Sequence, residues 1–304
     1  MMDPFRVIVL ALLQGIAELF PVSSLGHTVI IPGILGWNET LESPTFLPLL
    51  VMLHLGTSVA LLTFFWRDWV QLLRGGLRTV VAGRFTPDVD PDGYGRQLAL
   101  VVVGTIPAGI IGLLFQHQLE AGFSIPILAA AFLVANGAVL LAGERLWRRQ
   151  RLREKEIAAQ APMFAAVGRS LNEMSFRQAA FIGLAQCFAL IPGFSRSGLT
   201  MVTGMANGLS HEAAARFSFL LATPIILAAG VLEIPKLLEQ QYRADLPIAL
   251  GGGVVAGIAA YLSVRFLMKY FETNRLDPFA YYCVAAGSLA FLYFLLQFLN
   301  IIPS

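Results

Sequence analysis

The residues of this chain that could carry out chemistry lie in two short segments, 14–28 and 186–200, which resemble each other. In each segment an apolar stretch ends at a proline, a turn rich in serine and glycine follows, and a second apolar stretch begins. The first segment contains Glu18 and His27, and the second contains Arg196. Because ionisable groups inside apolar segments are costly and usually mark functional sites, we expect the two segments to form one site.

Glu18 lies one helical turn after Gln14, so both side chains project from the same face of a helix. One interpretation is that both are capping or packing residues that hydrogen-bond to the backbone. The functional interpretation makes Glu18 a metal ligand, a general base or both, with Gln14 as a second metal ligand. A buried carboxylate needs a cation or a hydrogen-bond donor to stabilise its charge, and Arg196 or a divalent ion could supply it.

The turn 21–27 places two serines and a histidine close together. Ser24 and His27 are three residues apart, which makes them neighbours if a helix begins at Ser23 or Ser24. Serine is a common first residue of helices, so capping is the structural alternative for one of the two hydroxyls. His27 is either a hydrogen-bonded core histidine or a general base, acid or nucleophile, and its position near Ser24 and Glu18 favours catalysis.

The segment 192–200 is the more specific signal, because it holds an arginine between two serines with glycines on both sides. A guanidinium can bind two phosphate oxygens at once, and a helix beginning here would direct free N–H groups at an anion. The structural alternative is an ion pair between Arg196 and Glu18 that joins the two halves of the chain. Besides Arg196, the predicted substrate-binding residues are Ser23, Ser195, Ser197, Gly198 and Thr200.

Together these groups indicate hydrolysis of a phosphate ester or anhydride on a membrane substrate, with electrostatic stabilisation of the phosphoryl group as the main source of catalysis. The alternative from another class is a transporter or flippase of a phosphorylated membrane lipid, which needs neither a nucleophile nor a base. An acid-phosphatase-type lipid phosphatase is excluded, since the position after Arg196 that its motif reserves for histidine is Val202. His54 is a further candidate for the site, whereas His117 and His211 lie at predicted helix ends.

The composition is that of a membrane protein, with 57% hydrophobic and 13% charged residues and a mean hydropathy of +0.71. Soluble domains carry about 25% charged residues. Cys187 and Cys283 lie in apolar segments and predict neither a disulfide nor a metal site, and no nucleic-acid partner is expected. Six stretches are long enough to span a bilayer. They are 46–66, 97–116, 125–143, 213–234, 246–264 and 279–299.

Two further apolar stretches, 7–22 and 178–191, are too short or too polar to cross alone, so we predict re-entrant helical hairpins. The loops after the first, third and fifth spans are rich in Arg and Lys and should be cytoplasmic. The two hairpins then enter from opposite faces. The predicted fold is a single all-α integral membrane domain over 1–304. Its halves, 1–145 and 177–304, form an inverted repeat and are joined by a basic cytoplasmic segment, 145–177. Such repeats place their site near the midplane of the membrane.

Three motifs are similar to those of a known family: 14–18 as [E/Q]-x-x-x-E, 21–27 as P-V-S-S-x-G-H, and 192–200 as P-G-x-S-R-S-G-x-T. In this order they resemble the undecaprenyl pyrophosphate phosphatase family of the bacitracin-resistance type, and the resemblance continues through 217–224. It implies an enzyme of the bacterial plasma membrane that converts undecaprenyl pyrophosphate to undecaprenyl phosphate, the lipid carrier of cell-wall synthesis. It also implies a Mg²⁺ or Ca²⁺ cofactor and a site that opens to the periplasmic or extracellular face.

The resemblance implies that Glu18 is catalytic or metal-binding, that Ser24 and His27 are the candidate nucleophile and acid/base, and that the residues around Arg196 bind pyrophosphate. Attack by Ser24, by His27 or by a metal-bound water remains open, with Ser24 favoured. The chain departs from many relatives in carrying Gln14 where they carry Glu, which removes one negative ligand. Membrane lipids are expected partners, and a homodimer is compatible with the sequence, although no segment identifies an interface.

Overall fold

The computed structural model describes residues 3–37, 43, 45–114, 125–160, 170–237, 239 and 245–302. Within these ranges the chain forms eleven α-helices and two short 3-10 helices, Leu171–Glu173 and Gln186–Leu190. The α-helices are α1 (Pro4–Ala17), α2 (Ser24–Ile34), α3 (Phe46–Phe64), α4 (Trp66–Ala82), α5 (Tyr94–Leu114), α6 (Pro126–Gln160), α7 (Phe176–Ala185), α8 (Arg196–Ala206), α9 (His211–Leu237), α10 (Leu246–Phe271) and α11 (Asp277–Phe298).

The protein is a multi-pass membrane protein, and the prediction of six spans is confirmed. Six helices are long and apolar enough to cross a hydrocarbon core, namely α3, α5, α6, α9, α10 and α11. The largest difference from the predicted bounds is at α6, which continues to Gln160, well into the segment predicted to be a basic cytoplasmic connection. Helix α10 continues to Phe271, because residues 265–271 include no glycine or proline. The end of the predicted span 97–116 and His117 lie outside the described residues.

One helix was not predicted. The sequence indicated only a basic loop after the first span, but residues of that segment form α4, which ends at Gly83 with a φ of 67°. The helix packs on α5 through a face of small residues. A Cβ atom at Gly75 would lie 2.6 Å from the backbone nitrogen of Gly95, so only glycine permits this approach.

The spans pack in pairs, and the two short helical hairpins pack against them. Helix α6 packs on α11, and α3 packs on both α10 and α9. Helix α1 packs on α10, and α7 packs on α5. Both of these last contacts use glycine, since a Cβ at Gly15 would lie 2.4 Å from the Ala256 carbonyl oxygen and one at Gly183 would lie 2.3 Å from that of Gly104. Small residues of this kind let membrane helices approach closely.

An ionic cluster joins the starts of α9 and α11 to the middle of α6. Ser210 caps α9 by accepting a hydrogen bond from the Ala213 N–H at 3.1 Å, which confirms the predicted helix start at His211. The His211 ring lies 2.8 Å from Oε2 of the fully buried Glu144. Arg148 pairs with Glu144 and with Asp277. These contacts fasten the helix ends, and none of the cluster residues lines the cavity described below.

Candidate active site

The first hairpin turns sharply between Glu18 and Ser24. Helix α1 ends with Glu18 as its C-terminal cap, and α2 begins after Ser23. The Ser23 hydroxyl accepts a hydrogen bond from the Gly26 N–H at 3.1 Å, so it is the serine that caps the helix. Ser23 has a φ of 69°, a conformation that costs a non-glycine residue of order 1–3 kcal/mol. Strain of this kind clusters at functional sites, and here it presents Ser24 to the Glu18 carboxylate.

The second hairpin turns through Gly193 and begins α8 with the same type of cap. The Ser195 hydroxyl accepts from the Gly198 N–H at 3.2 Å. Gly193 has a φ of 105°, and a Cβ atom there would lie 2.3 Å from the Ala129 carbonyl oxygen. The two turns touch, because a Cβ at Gly26 would lie only 3.1 Å from the Gly193 Cα.

Glu18 is the centre of the site and joins the two hairpins. Arg196 Nη2 donates to Glu18 Oε1 at 2.9 Å, and Ser24 Oγ donates to Oε2 at 2.5 Å. Gln14 Nε2 also donates to Oε2, at 3.0 Å. The Glu18 side chain is only 7% exposed and that of Arg196 14% exposed, so the pair is largely shielded from solvent. The structure thus brings the predicted residues of the two segments together.

His54 is the histidine that meets Glu18. Its Nε2 lies 3.4 Å from Glu18 Oε2, and its Nδ1 donates to the Leu50 carbonyl at 2.7 Å. Both ring nitrogens therefore face acceptor oxygens. The sequence named His54 only as a further candidate, since its position inside a predicted span did not show which way the ring points.

His27 lies apart from this centre. Its Nδ1 donates to the Ser23 carbonyl at 2.7 Å, and its Nε2 lies 2.8 Å from the Tyr282 hydroxyl, against which the ring stacks. Both ring nitrogens are thus occupied away from Glu18 and Ser24. The expected contact between His27 and these two residues is not formed.

The predicted substrate-binding residues of the second hairpin divide into two groups. Ser195 and Arg196 line the cavity. Ser197 and Thr200 instead lie behind it, where the Ser197 hydroxyl donates to the Phe20 carbonyl at 3.1 Å and the Thr200 hydroxyl donates to Ser218 Oγ at 2.7 Å. Gly198 contributes its N–H to the helix cap.

Two residues that sequence reasoning missed position the hairpins. The fully buried Asn136 of α6 donates through Nδ2 to the Pro21 carbonyl and accepts through Oδ1 from the Ser195 N–H, both at 3.0 Å. One amide thereby connects the two turns. Ser218 of α9 accepts from Arg196 Nη1 through its carbonyl at 3.4 Å. A lone asparagine in an apolar span was the only signal for the first, and the family resemblance over 217–224 was the only signal for Ser218.

A cavity of about 420 Å³ opens beside this centre. Its polar end is formed by Glu18, Ser23, Ser24, His54, Ser195 and Arg196. Its walls are apolar and come from α3 and α9, with Leu47, Leu50, Val51, Ile225, Ile226 and Ala229. The cavity therefore suits a molecule with an anionic head and a hydrocarbon chain.

The donor set is compatible with a divalent ion that shares its coordination with a substrate. Among the described residues, no group of three or more His, Cys, Asp or Glu side chains could hold a metal. The Glu18 carboxylate is nevertheless accompanied by Gln14 Oε1, a buried oxygen for which the described residues provide no partner. Mg²⁺ is commonly bound by one or two protein carboxylates together with water and substrate phosphates, so a carboxylate and an amide oxygen fit such an ion.

Comparison with known proteins identifies the relatives of this chain. A family model described as bacitracin resistance protein BacA matches residues 7–289. An undecaprenyl-diphosphatase 2 from Burkholderia lata is 48% identical over 97% of this chain and 99% of its own length. Undecaprenyl-diphosphatases from Acidiphilium cryptum and Granulibacter bethesdensis are each 46% identical, over 96% of this chain and 98% of their own lengths.

Proposed function

Since the chain belongs to the bacitracin resistance protein BacA family, we propose that it hydrolyses undecaprenyl pyrophosphate to undecaprenyl phosphate and inorganic phosphate. The observation that carries this proposal is the Glu18 carboxylate, which contacts the Ser24 hydroxyl and the Arg196 guanidinium at one end of an apolar cavity. A base, a nucleophile and an anion-binding cation within one hydrogen-bonded group are the components that phosphoryl transfer requires.

In the proposed reaction Ser24 Oγ attacks the terminal phosphorus and its proton passes to Glu18 Oε2, 2.5 Å away. The bond from this phosphorus to the bridging oxygen breaks, and undecaprenyl phosphate leaves with the electron pair. The resulting phosphoserine is hydrolysed by water, which releases inorganic phosphate and restores the Ser24 hydroxyl. Attack by His27 is disfavoured because both of its ring nitrogens are occupied.

Arg196 binds the phosphoryl oxygens and stabilises the negative charge that develops on them. His54 and Gln14 orient the Glu18 carboxylate through its Oε2 atom, whereas Arg196 contacts its Oε1 atom. The prenyl chain lies along the apolar walls contributed by α3 and α9. Glu18 and Gln14 would hold a divalent ion, which would neutralise part of the negative charge of the pyrophosphate.

We further propose that the two hairpins are re-entrant and related by an inverted repeat. Helices of 14 and 11 residues in the first hairpin and of 10 and 11 in the second are each shorter than the roughly 20 residues that cross a bilayer. The packing also repeats. Helix α1 of the first hairpin packs on the fifth span, α10, and α7 of the second hairpin packs on the second span, α5. The first spans of the two halves, α3 and α9, pack on each other.

The site is proposed to open to the periplasmic or extracellular face of the bacterial plasma membrane. The cavity extends to Ser43 and Phe46 near the start of α3 and to Gly230 of α9. A basic segment follows the opposite end of α3, and the start of α9 is bonded through His211 to Glu144, next to the basic stretch 145–153. Lys/Arg-rich segments are cytoplasmic. Cysteine introduced at Ser43 should therefore react with an impermeant maleimide in intact cells, whereas cysteine introduced at Arg84 should react only after permeabilisation.

The experiment that tests the function is phosphate release from a prenyl pyrophosphate by purified protein in detergent, with Mg²⁺, Ca²⁺ or EDTA. Glu18→Ala and Arg196→Ala should each abolish metal-dependent release. Arg216→Ala is the matched control, because it removes a guanidinium of α9 that pairs with Asp68 away from the cavity. Absence of release by well-folded wild-type protein with either metal would refute hydrolysis and favour transport of the lipid carrier.

A further inference from the structure

Helix α4 presents an apolar face that the described protein does not cover. Leu77, Val80 and Val81 are 66%, 79% and 80% exposed. Together with the exposed Leu73 they follow the helical spacing of a single stripe. The opposite side of the helix, with Leu72 and the small residues that face α5, is buried. An apolar stripe of this length on a helix outside the six spans needs a covering environment.

A third face of α4 is basic. Arg67, Arg74 and Arg78 are spaced by seven and four residues, which places them side by side along the helix and next to the apolar stripe. Arg67 lies over the ring of Trp66, with its guanidinium carbon 5.3 Å from the ring centroid. Arg74 and Arg78 pair with none of the residues that the structure describes. By contrast, Arg216 of α9 and Arg96 of α5 are bonded to protein partners.

The position of α4 places these two faces at the membrane surface. The helix begins directly after the span α3, which ends at Phe64. It is held against the start of the span α5 by the close contact of Gly75 with Gly95. Trp66, which is 56% exposed, lies at the junction, and tryptophan is enriched at membrane interfaces. Adjacent apolar and basic faces next to a span are typical of helices that lie in the plane of the membrane interface.

We propose that α4 is an interfacial helix whose arginine ridge, Arg67, Arg74 and Arg78, binds the phosphate groups of anionic phospholipids. In a bilayer the hydrocarbon lies next to the anionic headgroups, just as the apolar face of α4 lies next to its basic face. This charge complementarity identifies phospholipid as the occupant. The proposal is independent of the phosphatase function, because none of the three arginines lines the active-site cavity.

The test compares binding of phosphatidylglycerol and phosphatidylcholine to the full-length protein in detergent by native mass spectrometry. The variant Arg67→Gln/Arg74→Gln/Arg78→Gln should lose affinity for phosphatidylglycerol by about fivefold for each arginine, on the order of a hundredfold in total. Binding of phosphatidylcholine should not change. The preference of the wild type for phosphatidylglycerol should weaken as salt is raised, because exposed charges are screened.

The matched control is Arg265→Gln/Lys269→Gln/Arg275→Gln, which removes the same number of exposed cations from the end of α10 and the segment after it. It should retain the wild-type affinity for phosphatidylglycerol. Hydrolysis of farnesyl pyrophosphate in detergent should be unchanged in both variants, which verifies folding and separates this test from that of the proposed function. Wild-type affinity in the α4 variant, or an equal loss in the control, would overturn the proposal.

Discussion

The hairpin of α1 and α2 and the hairpin of α7 and α8 begin their second helices in the same way but carry different chemistry. In each, a serine caps the helix by accepting from the N–H three residues later, and the helix that follows has 11 residues. The residue after the cap is Ser24 in the first hairpin and Arg196 in the second. Both contact Glu18. One backbone arrangement used twice therefore places a nucleophile and a cation on either side of a single carboxylate.

The turns before these caps differ. The first reaches its cap with a positive φ at Ser23, whereas the second passes through Gly193, which adopts such a φ without strain. The second turn also runs against Ala129 of α6 and permits no side chain there. The second hairpin is thus a close-packed support that presents Arg196, and the first retains strain next to the reacting hydroxyl.

The largest expected effect separates the two hairpins by their serines. Ser24→Ala removes the proposed nucleophile and should lower kcat by about 10⁴-fold or more. Ser197→Ala, in the second hairpin, removes a hydroxyl that donates to the Phe20 carbonyl and should reduce kcat by less than about tenfold. Phosphate release under saturating substrate measures both. A Ser24→Ala enzyme within tenfold of the wild type would show that Ser24 is not the nucleophile.

The contact between the hairpins distinguishes catalysis from a structural ion pair. Glu18→Gln and Arg196→Gln should each lower kcat by about 10²–10³-fold. Each leaves a buried charge without its partner and should destabilise the protein by about 3–5 kcal/mol. The double variant Glu18→Gln/Arg196→Gln removes both charges, so its melting temperature should recover while its activity does not. Recovery of activity together with stability would mean that the pair is only structural.

Two histidines near the first hairpin, His27 of α2 and His54 of α3, are expected to differ in their effect on catalysis. His54→Leu removes the ring that faces Glu18 Oε2 and should lower kcat roughly 10- to 100-fold, the worth of a hydrogen bond to a charged group. His27→Leu, whose ring faces Tyr282, should affect stability more than kcat. Steady-state kinetics and thermal unfolding of both variants measure the difference. A greater loss of kcat in His27→Leu would restore the catalytic role that the sequence predicted for His27.

Asn136 tests whether the two turns must be held together. Asn136→Leu removes the hydrogen bonds to the Pro21 carbonyl and from the Ser195 N–H, and should lower kcat by about tenfold. Asn136→Asp retains the acceptor for Ser195 and should lose less. If Asn136 acts by positioning Arg196, Asn136→Leu should cost nothing further in an Arg196→Gln background. An equal loss in both backgrounds would reduce its role to general stability.

The smallest expected effect concerns the metal. Gln14→Glu places a second carboxylate beside Glu18 and should lower the Mg²⁺ concentration for half-maximal activity roughly three- to tenfold, because ligand charge strengthens cation binding. The matched control is Gln186→Glu in the second hairpin. The Gln186 Nε2 donates to the Gly104 carbonyl and not to Glu18, so this variant should leave the Mg²⁺ requirement unchanged. Metal titrations from an EDTA-treated baseline provide the measurement. An unchanged Mg²⁺ requirement in Gln14→Glu would place the ion elsewhere.

Much of the fold and part of the site could be predicted from local pattern. Six spans follow from hydrophobic length alone, and a helix cap at one of Ser23 and Ser24 follows from the preference of serine for helix starts. The helix α4 escaped prediction because its seven-residue basic spacing was taken for loop charge, although its apolar stripe has helical period. The pairing of Glu18 with Arg196 was one of the two alternatives that the sequence left open, the other being a divalent ion, because a buried carboxylate needs a cation or a donor.

The sequence by itself determined which residues are chemically competent, because a carboxylate, a serine and an arginine in apolar segments are costly wherever the segments lie. The tertiary structure decided which of these groups meet. Position 54 faces Glu18 and position 27 faces Tyr282 because the packing of α3 and α11 sets the direction of each ring. Asn136 bridges Pro21 and Ser195, which are separated in the sequence by more than half of the chain. Contacts of this range depend on the arrangement of whole helices, and no local spacing in the sequence encodes it.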